Sequence, residues 1–289
     1  MKARACSFLL LLAVFCTCSG GQPASEDNNT PAVPSPAPGY YPKDPKSFRL
    51  VSYNVGAFSK YISEGTGSTE MIAKMLLEVK ADAVGLNECD SVNTRHSANQ
   101  VADLAKALGG WQWWFGRAMP YKGGAYGNGA LVPKGMQVIA RYTVPLEKSD
   151  GSEPRSIAVI ETDKYVIGAA HLDHKSAGAQ LAQAAQVNAW ASGKYKNAGK
   201  PVFFLGDMNA KPESATIKAL KDQWDLLSAT DQNTYPSSGA KSCIDYIFHY
   251  KASAPVKVVD SKVMTRFKNG DVTLASDHLP IYVDVELFF

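Results

Sequence analysis

The chain has 289 residues, with 30 Lys+Arg against 27 Asp+Glu (formal net charge +3), 45% apolar and 20% charged residues. Such values exclude a disordered, collagen-like or polytopic membrane chain and leave enough length to bury a sizeable core. Five cysteines are too few for a disulfide scaffold, and the charge balance argues against a strongly basic nucleic-acid coat protein.

The amino terminus reads as an export signal. Lys2 and Arg4 precede an apolar run, Phe8 to Phe15, too short for a permanent membrane span, and small residues follow. Cys18, followed by Ser-Gly-Gly, is the expected lipid acceptor of a bacterial lipoprotein signal. Phe15 and Thr17 depart from the usual Leu and Ala or Gly, and plain secretion is the alternative. Residues 1–18 are assigned to this signal, which implies a cell-surface or periplasmic lipoprotein, or a secreted protein. Cleavage before Cys18 removes Lys2 and Arg4 and no acid, so the formal charge falls from +3 to +1. Residues 19–46 carry Pro23, Pro31, Pro34, Pro36, Pro38, Pro42 and Pro45 among small polar residues, which predicts an extended linker.

Residues 47–289 read as one alternating α/β domain without a second linker or repeat. Runs rich in Val, Ile and aromatics predict strands at Phe48–Val55, Ala83–Asn87, Trp113–Met119, Gly129–Val132, Val138–Val144, Ser156–Thr162, Tyr165–Leu172, Val202–Leu205, Ile244–Tyr250, Val256–Val263 and Ile281–Leu287. Helices are predicted at Ser68–Lys80, with Ser68 as its cap, and at Ser97–Leu108, Ala177–Ser192 and Pro212–Leu220. Strand pairs with no helix between them require antiparallel segments. Two packed mixed sheets with helices outside therefore fit better than a doubly wound sheet. In the stretch Trp111–Phe115, alternation predicts that Trp111, Trp113 and Phe115 pack one strand face, base or headgroup stacking being the alternative.

Polar groups gather where the apolar runs end. Asn54 closes the first strand, Asn87-Glu88 the second, His171-Leu-Asp-His174 the seventh and Gly-Asp207-Met-Asn209 the eighth; Ser-Asp277-His278-Leu-Pro precedes the last. Each alone is an ordinary turn or a satisfied core residue, but together they line up where α/β sandwiches place ligand clefts. Asn54, Glu88 and Asp207 are hard oxygen donors suited to Mg²⁺, Mn²⁺ or Ca²⁺. No Cys/His set has zinc spacing, no Gly-rich phosphate loop precedes Lys-Ser/Thr, and no Gly-x-Ser-x-Gly elbow occurs. A hard cation with carboxylates and histidines suits phosphoester hydrolysis.

In order, Ser-Tyr-Asn-Val (52–55), Leu-Asn-Glu (86–88), Tyr-Gly-Asn-Gly-Ala-Leu (126–131), Glu-Pro-Arg (153–155), His-Leu-Asp-His (171–174), Gly-Asp-Met-Asn (206–209), Ile-Asp-Tyr-Ile-Phe (244–248) and Ser-Asp-His-Leu-Pro (276–280) resemble the endonuclease/exonuclease/phosphatase superfamily with its deoxyribonuclease-I-like fold. The resemblance implies a four-layer α/β sandwich. It implies that Asn54 and Glu88 hold the cation, with Asp277 a further oxygen ligand. Asp207 would orient or deprotonate water, Asn209 would steady the phosphate, and Asp245 would orient His278. His171 would contact the phosphate from the other side, and Arg155, with Tyr126 and Asn128 less securely, would bind it. Val132-Pro133 departs from the family pattern, where a Ser is common, as does Cys243, where a basic residue is common. Cys89 and Cys243 fall near the same cleft in that fold, as a disulfide or as two buried thiols.

The substrate implied is a phosphoester: a small-molecule or lipid phosphodiester, with a nucleic acid (DNA or RNA) or an inositol phosphate as alternatives. A catalytically silent binding module on the same fold is the non-enzymatic alternative. A mature charge near neutrality disfavours a gripped polyanion. Arg117, Lys122, Lys194, Lys196 and Lys200 are the candidates for a local basic patch. Membrane association would come from the lipid anchor, and no protein partner is implied.

Overall fold

The computed structural model describes residues 39–58 and 68–288. The expected signal, including Cys18, and residues 19–38 of the expected linker lie outside the described residues. Within the compact unit Pro38–Phe289 the elements follow in the order β1 (Phe48–Asn54), a single 3-10 turn (Gly56–Phe58), α1 (Thr69–Glu78), β2 (Ala83–Asn93), β3 (His96–Asn99), α2 (Gln100–Ala107), β4 (Gln112–Tyr121), β5 (Gly124–Val132), β6 (Val138–Leu146), β7 (Arg155–Thr162), β8 (Val166–His171), α3 (Ala177–Tyr195), β9 (Val202–Asp207), α4 (Ala215–Lys221), β10 (Trp224–Leu226), β11 (Asp245–Tyr250), β12 (Val256–Val263), α5 (Val272–Ala275) and β13 (Ile281–Leu287).

The strands form two mixed sheets. The first has the order β12-β13-β1-β2-β5-β4 with β3 beside β2, and the second runs β10-β11-β9-β8-β7-β6. Only β1–β2 and β8–β9 pair in parallel among the described strands, and each pair lies inside its sheet. The sheets pack face to face; α1 and α2 lie on the first, and α3 and α4 on the second. This is the deoxyribonuclease-I-like α/β sandwich.

Period-two alternation sorts the side chains into two cores. In β9, Phe203 and Leu205 enter the core shared with the first sheet, while Val202 and Phe204 pack under α3 and α4. In β7, Ala158 and Ile160 face the first core, and Ile157 and Val159 the second. The strands of the second sheet are apolar on both faces because helices cover one and a sheet the other.

Several expectations are corrected. Residues 39–46 of the expected linker pack on the domain: Tyr41 lies edge-on to Tyr282 at 5.8 Å, and the carbonyls of Tyr41 and Pro42 accept from the buried Arg49. β2 continues six residues beyond Asn87, because a bulge lets polar residues extend it toward β3. The expected helix start at Ser97 is strand β3, and Asn99 caps α2 by accepting from Val101 N and Ala102 N. Ser68 makes no side-chain cap; its hydroxyl donates to Ala275 O. Trp111, Trp113, Trp114 and Phe115 all pack against the first core, and Trp114 Nε1 donates to Thr143 Oγ1 on β6, so the cluster is not confined to one face. Cys89 and Cys243 are free thiols buried in different cores, which rules out the disulfide alternative.

Candidate active site

The topology collects the polar residues at one edge of the sandwich. Both parallel pairs end there, β1–β2 with Asn54 opposite Asn87 and β8–β9 with His171 opposite Asp207. β11 runs antiparallel to β9, so its first residue, Asp245, falls opposite Asp207. β13 runs antiparallel to β1, so the preceding loop delivers Asp277 and His278 to the same edge. The resulting cleft of about 430 Å³ is lined by Glu88, Arg155, His171, Asp207, Asn209 and His278, among others.

Local backbone geometry aims two of these groups. The β2–β5 register breaks between Leu86 and Cys89, and Glu88 takes a left-handed conformation (φ 58°). Without that bulge the alternation would turn residue 88 to the other side. Asn209 is also left-handed (φ 48°), and its backbone N–H donates to Asp207 Oδ1 at 2.8 Å. Left-handed non-glycine residues gathered at a cleft are the usual mark of a functional constraint.

Asp245, His278 and Asp207 form a buried chain. His278 Nδ1 lies 2.9 Å from Asp245 Oδ2, and Nε2 lies 3.6 Å from Asp207 Oδ2. Burial favours the neutral imidazole, but Asp245 and then Asp207 overcome it and raise the His278 pKa to about 10. Burial, then the Asp245 carboxylate, raises Asp207 to about 7, against the partial relief from His278 and from donors on Asn209 and Asn54. Asn54 Nδ2 donates to Asp207 Oδ2 (3.1 Å) and to Glu88 Oε1 (3.2 Å), while its Oδ1 accepts from Gly56 N. As placed, Asn54 ties the two carboxylates together through its amide N–H₂ and does not offer its oxygen to the cleft.

On the opposite wall, Arg155 is 3% exposed. Its Nη1 donates to His171 Nδ1 at 3.3 Å and its Nη2 to His174 Nδ1 at 3.1 Å, while Nε is buried without an acceptor. Burial, then the guanidinium, holds His171 well below the usual histidine range, so the ring is neutral. His171 Nε2 lies 2.8 Å from Asn209 Nδ2. The carboxyl ends of β8 and β9 thereby present a neutral imidazole and an amide, beside the guanidinium that opens β7 and whose Nε has no acceptor.

The structure brings Asn54, Glu88, Tyr126, Arg155, His171, Asp207, Asn209, Asp245, Asp277 and His278 to this edge. It does not bring Asn128 into the cleft. Asn128 is 2% exposed, accepts from Asn87 Nδ2 and donates to Ser156 O, so its amide is consumed between β2 and β7. Sequence reasoning gave no role to Asn87, which donates to Ala170 O and accepts from Asp207 N, stapling the two sheets beneath the site. Nor did it find Glu153, His174 and Tyr235 on the cleft wall. Glu153 and His174 fall inside the quoted motifs, so their proximity to Arg155 and His171 was the available signal. Tyr235 lies in a long loop, its ring 4.8 Å from that of His278, and carries no such signal.

The family model for the Endonuclease/Exonuclease/phosphatase family matches residues 51–278. Among solved structures, an endonuclease/exonuclease/phosphatase family protein from Bacteroides thetaiotaomicron is 20% identical, with 86% of this chain and 100% of that one covered at a TM-score of 0.66. A mannosyl-6-phosphatase from the same species is 21% identical over 84% and 100% of the two chains, TM-score 0.65. The human Nocturnin catalytic domain with bound sulfate anion is 17% identical over 84% and 94%, TM-score 0.63. At these identities the likeness is one of fold. No curated protein sequence gives a significant match.

Proposed function

The chain belongs to the endonuclease/exonuclease/phosphatase family of phosphoester hydrolases, and we propose that it is an exported, divalent-metal-dependent enzyme that hydrolyses a phosphodiester by attack of an activated water. Export rests on the signal-like residues 1–18, with Cys18 as lipid acceptor or, in the alternative, plain secretion. The observation that carries the chemistry is the buried Asp245–His278–Asp207 chain facing Arg155, His171 and Asn209 across one cleft.

The cleft fits a cation. Four carboxylates, Glu88, Glu153, Asp207 and Asp277, line it, and Asp245 Oδ1 behind it is buried with no donor. Asp207, Asp245 and His278 bring ligand atoms within 4.8 Å of one another, but in that trio the imidazolium is already the counter-ion of both acids. The oxygen ligands that would hold Mg²⁺, Mn²⁺ or Ca²⁺ are Glu88 and Asp277 on the cleft wall, with Asn54 fixing Glu88 against Asp207. A bound divalent ion would neutralise phosphate charge and polarise the ester.

The chain's own residues do the rest. Asp207, raised to about 7, is matched to taking a proton from water near neutral pH. The water oxygen bonds to phosphorus, the ester P–O bond breaks, and the departing alcohol oxygen takes its proton from solvent. His278, held charged by Asp245, steadies negative charge beside Asp207. Asn209, His171 and Arg155 orient the phosphate from the other wall, Arg155 by its charge.

Hydrolysis of bis-p-nitrophenyl phosphate with Mg²⁺ or Mn²⁺ tests this. Asp207→Ala and His278→Ala should each reduce kcat by about 10²–10⁴-fold with an unchanged circular dichroism spectrum, and chelator should abolish turnover. Turnover that survives both substitutions, or chelation, refutes the mechanism.

A further inference from the structure

Among the described residues the cleft is lined by one permanent cation, Arg155, against four carboxylates, and none of Arg117, Lys122, Lys194, Lys196 and Lys200 lines it. Lys194 and Lys200 lie instead against Glu161, far along β7 from its first residue, Arg155. One carboxylate stands apart from the water-activating side. Glu153 Oε2 lies 3.4 Å from Arg155 Nη2, on the wall that would receive the substrate phosphate, and its side chain is 34% exposed.

Glu153 is held there by a built loop. Ser152 N and Oγ donate to Asp173 Oδ2 at 2.7 and 2.9 Å, and Lys175 N and Ser176 N donate to Asp173 Oδ1. These donors, against the effect of burial, keep the Asp173 carboxylate well below its usual pKa. The loop passes so close that a Cβ on Gly151 would stand 2.5 Å from Asp173 Oδ2. His174 follows directly; its Nδ1 accepts from Arg155 Nη2 and lies 3.3 Å from Ser152 Oγ. With Nδ1 accepting, the ring proton is on Nε2, which serves as the donor. The rim beyond the phosphate position therefore carries a fixed acceptor, the Glu153 carboxylate, beside a fixed donor, His174 Nε2–H.

An acceptor–donor pair is what a hydroxyl group satisfies, since a hydroxyl does both. A second phosphate placed there would meet the Glu153 carboxylate and, among the described lining residues, no cation besides Arg155, and like charges face to face repel. Building on the phosphoesterase reading, we infer that Glu153 is a specificity residue which selects one phosphate esterified to an uncharged, hydroxyl-rich alcohol, such as a sugar or polyol, and rejects polyphosphate chains such as nucleic acids. The second ester position is left open: the same pair serves a monoester or a diester of that alcohol.

The test compares wild type and Glu153→Gln by kcat/KM in Mn²⁺ on four substrates: bis-p-nitrophenyl phosphate, a hexose 6-phosphate, glycerophosphoinositol and a single-stranded oligonucleotide. Each rate is divided by that on bis-p-nitrophenyl phosphate, so any general displacement of Arg155 cancels. The wild type should favour one or both polyol esters over the oligonucleotide, and the two polyol arms show whether monoester or diester is taken. In Glu153→Gln the polyol ratio should fall about tenfold or more, the site having lost its charged acceptor. The oligonucleotide ratio should rise several-fold as the repulsion goes. Ratios unchanged within about twofold, or a wild type that prefers the oligonucleotide, overturn the assignment of Glu153. Absence of wild-type turnover on every substrate refutes the phosphoesterase reading itself, and the specificity claim with it.

Discussion

The chemistry of the cleft rests on the unequal treatment of two histidines. His171 has Asp207 Oδ2 at 3.4 Å from its Nε2, but burial and the Arg155 guanidinium keep it neutral; His278 stands between two carboxylates and stays charged. That difference yields a pH prediction for the metal-free protein. His278 is raised from 6.5 to about 10 on folding, so its contribution to stability is complete below 6.5 and lost as pH rises through 10. Asp207 is raised from 3.8 to about 7, so the folded state also binds its proton more tightly than the unfolded chain does between those values. Both shifts act in the same direction. In chelator, the melting temperature should fall by several degrees between pH 6 and pH 9, each linked proton contributing at most about 1.4 kcal/mol per pH unit. His278→Gln should remove the His278 portion and, by withdrawing the charge that partly relieves Asp207, carry the Asp207 portion to higher pH. Calorimetric scans across that range decide it; a melting temperature that climbs with pH would contradict the assigned charges.

Elements explain why much of the site was legible in the sequence and why parts were not. The eleven predicted strands all exist, because their apolar runs are long enough to show periodicity, and the polar residues that end them do sit at one edge. β10 has three residues and β3 four, both too short to show a period, and β3 was absorbed into the helix that Asn99 caps. The bulge that aims Glu88 left no trace in the residue pattern, because polar residues continue the strand on both faces. Asn87 read as a strand-end amide and Asn128 as a phosphate contact, and only the structure shows that they bond each other and bridge to the second sheet. The β8–β9 pair offers a direct test. Gly206 sits opposite Ala170 with φ 141°, and a Cβ there would lie 1.9 Å from Ala170 O. Gly206→Ala should cost about 1–3 kcal/mol in denaturant unfolding and lower turnover as well, because the displaced residue adjoins Asp207. A midpoint equal to wild type would show that the parallel pair tolerates the shift.

At the scale of the whole molecule, the chain carries a small formal positive charge, +3, while its cleft is acidic. Arg49 shows how the fold accommodates a buried charge when it can complete the partnership: the fully buried guanidinium meets Asp284 bidentately at 2.6 Å and donates to the carbonyls of Tyr41, Pro42 and Val79. At the cleft the acids are less completely matched: Asp207 and Asp245 share His278, and Glu153 lies 3.4 Å from Arg155. Asp207 is pushed up by its neighbour, Asp245 Oδ1 has no donor, and Glu88 meets only an amide. Among the described residues the acids Glu88, Glu153, Asp207, Asp245 and Asp277 thus outnumber the two cations that face them, His278 and Arg155. A cation that binds only the folded state relieves that imbalance and stabilises by mass action, by about 2.7 kcal/mol at a hundred times its Kd. For a domain of this size that corresponds to a rise in melting temperature of about 5–10 °C on moving from chelator to saturating Mn²⁺ or Mg²⁺. Glu88→Gln removes one ligand charge without changing shape, so its melting temperature in chelator should equal or exceed that of wild type while its response to the metal largely disappears. A full metal response in Glu88→Gln would place the ion elsewhere in the cleft; no response in wild type would mean that the acidic edge is stabilised without a divalent cation.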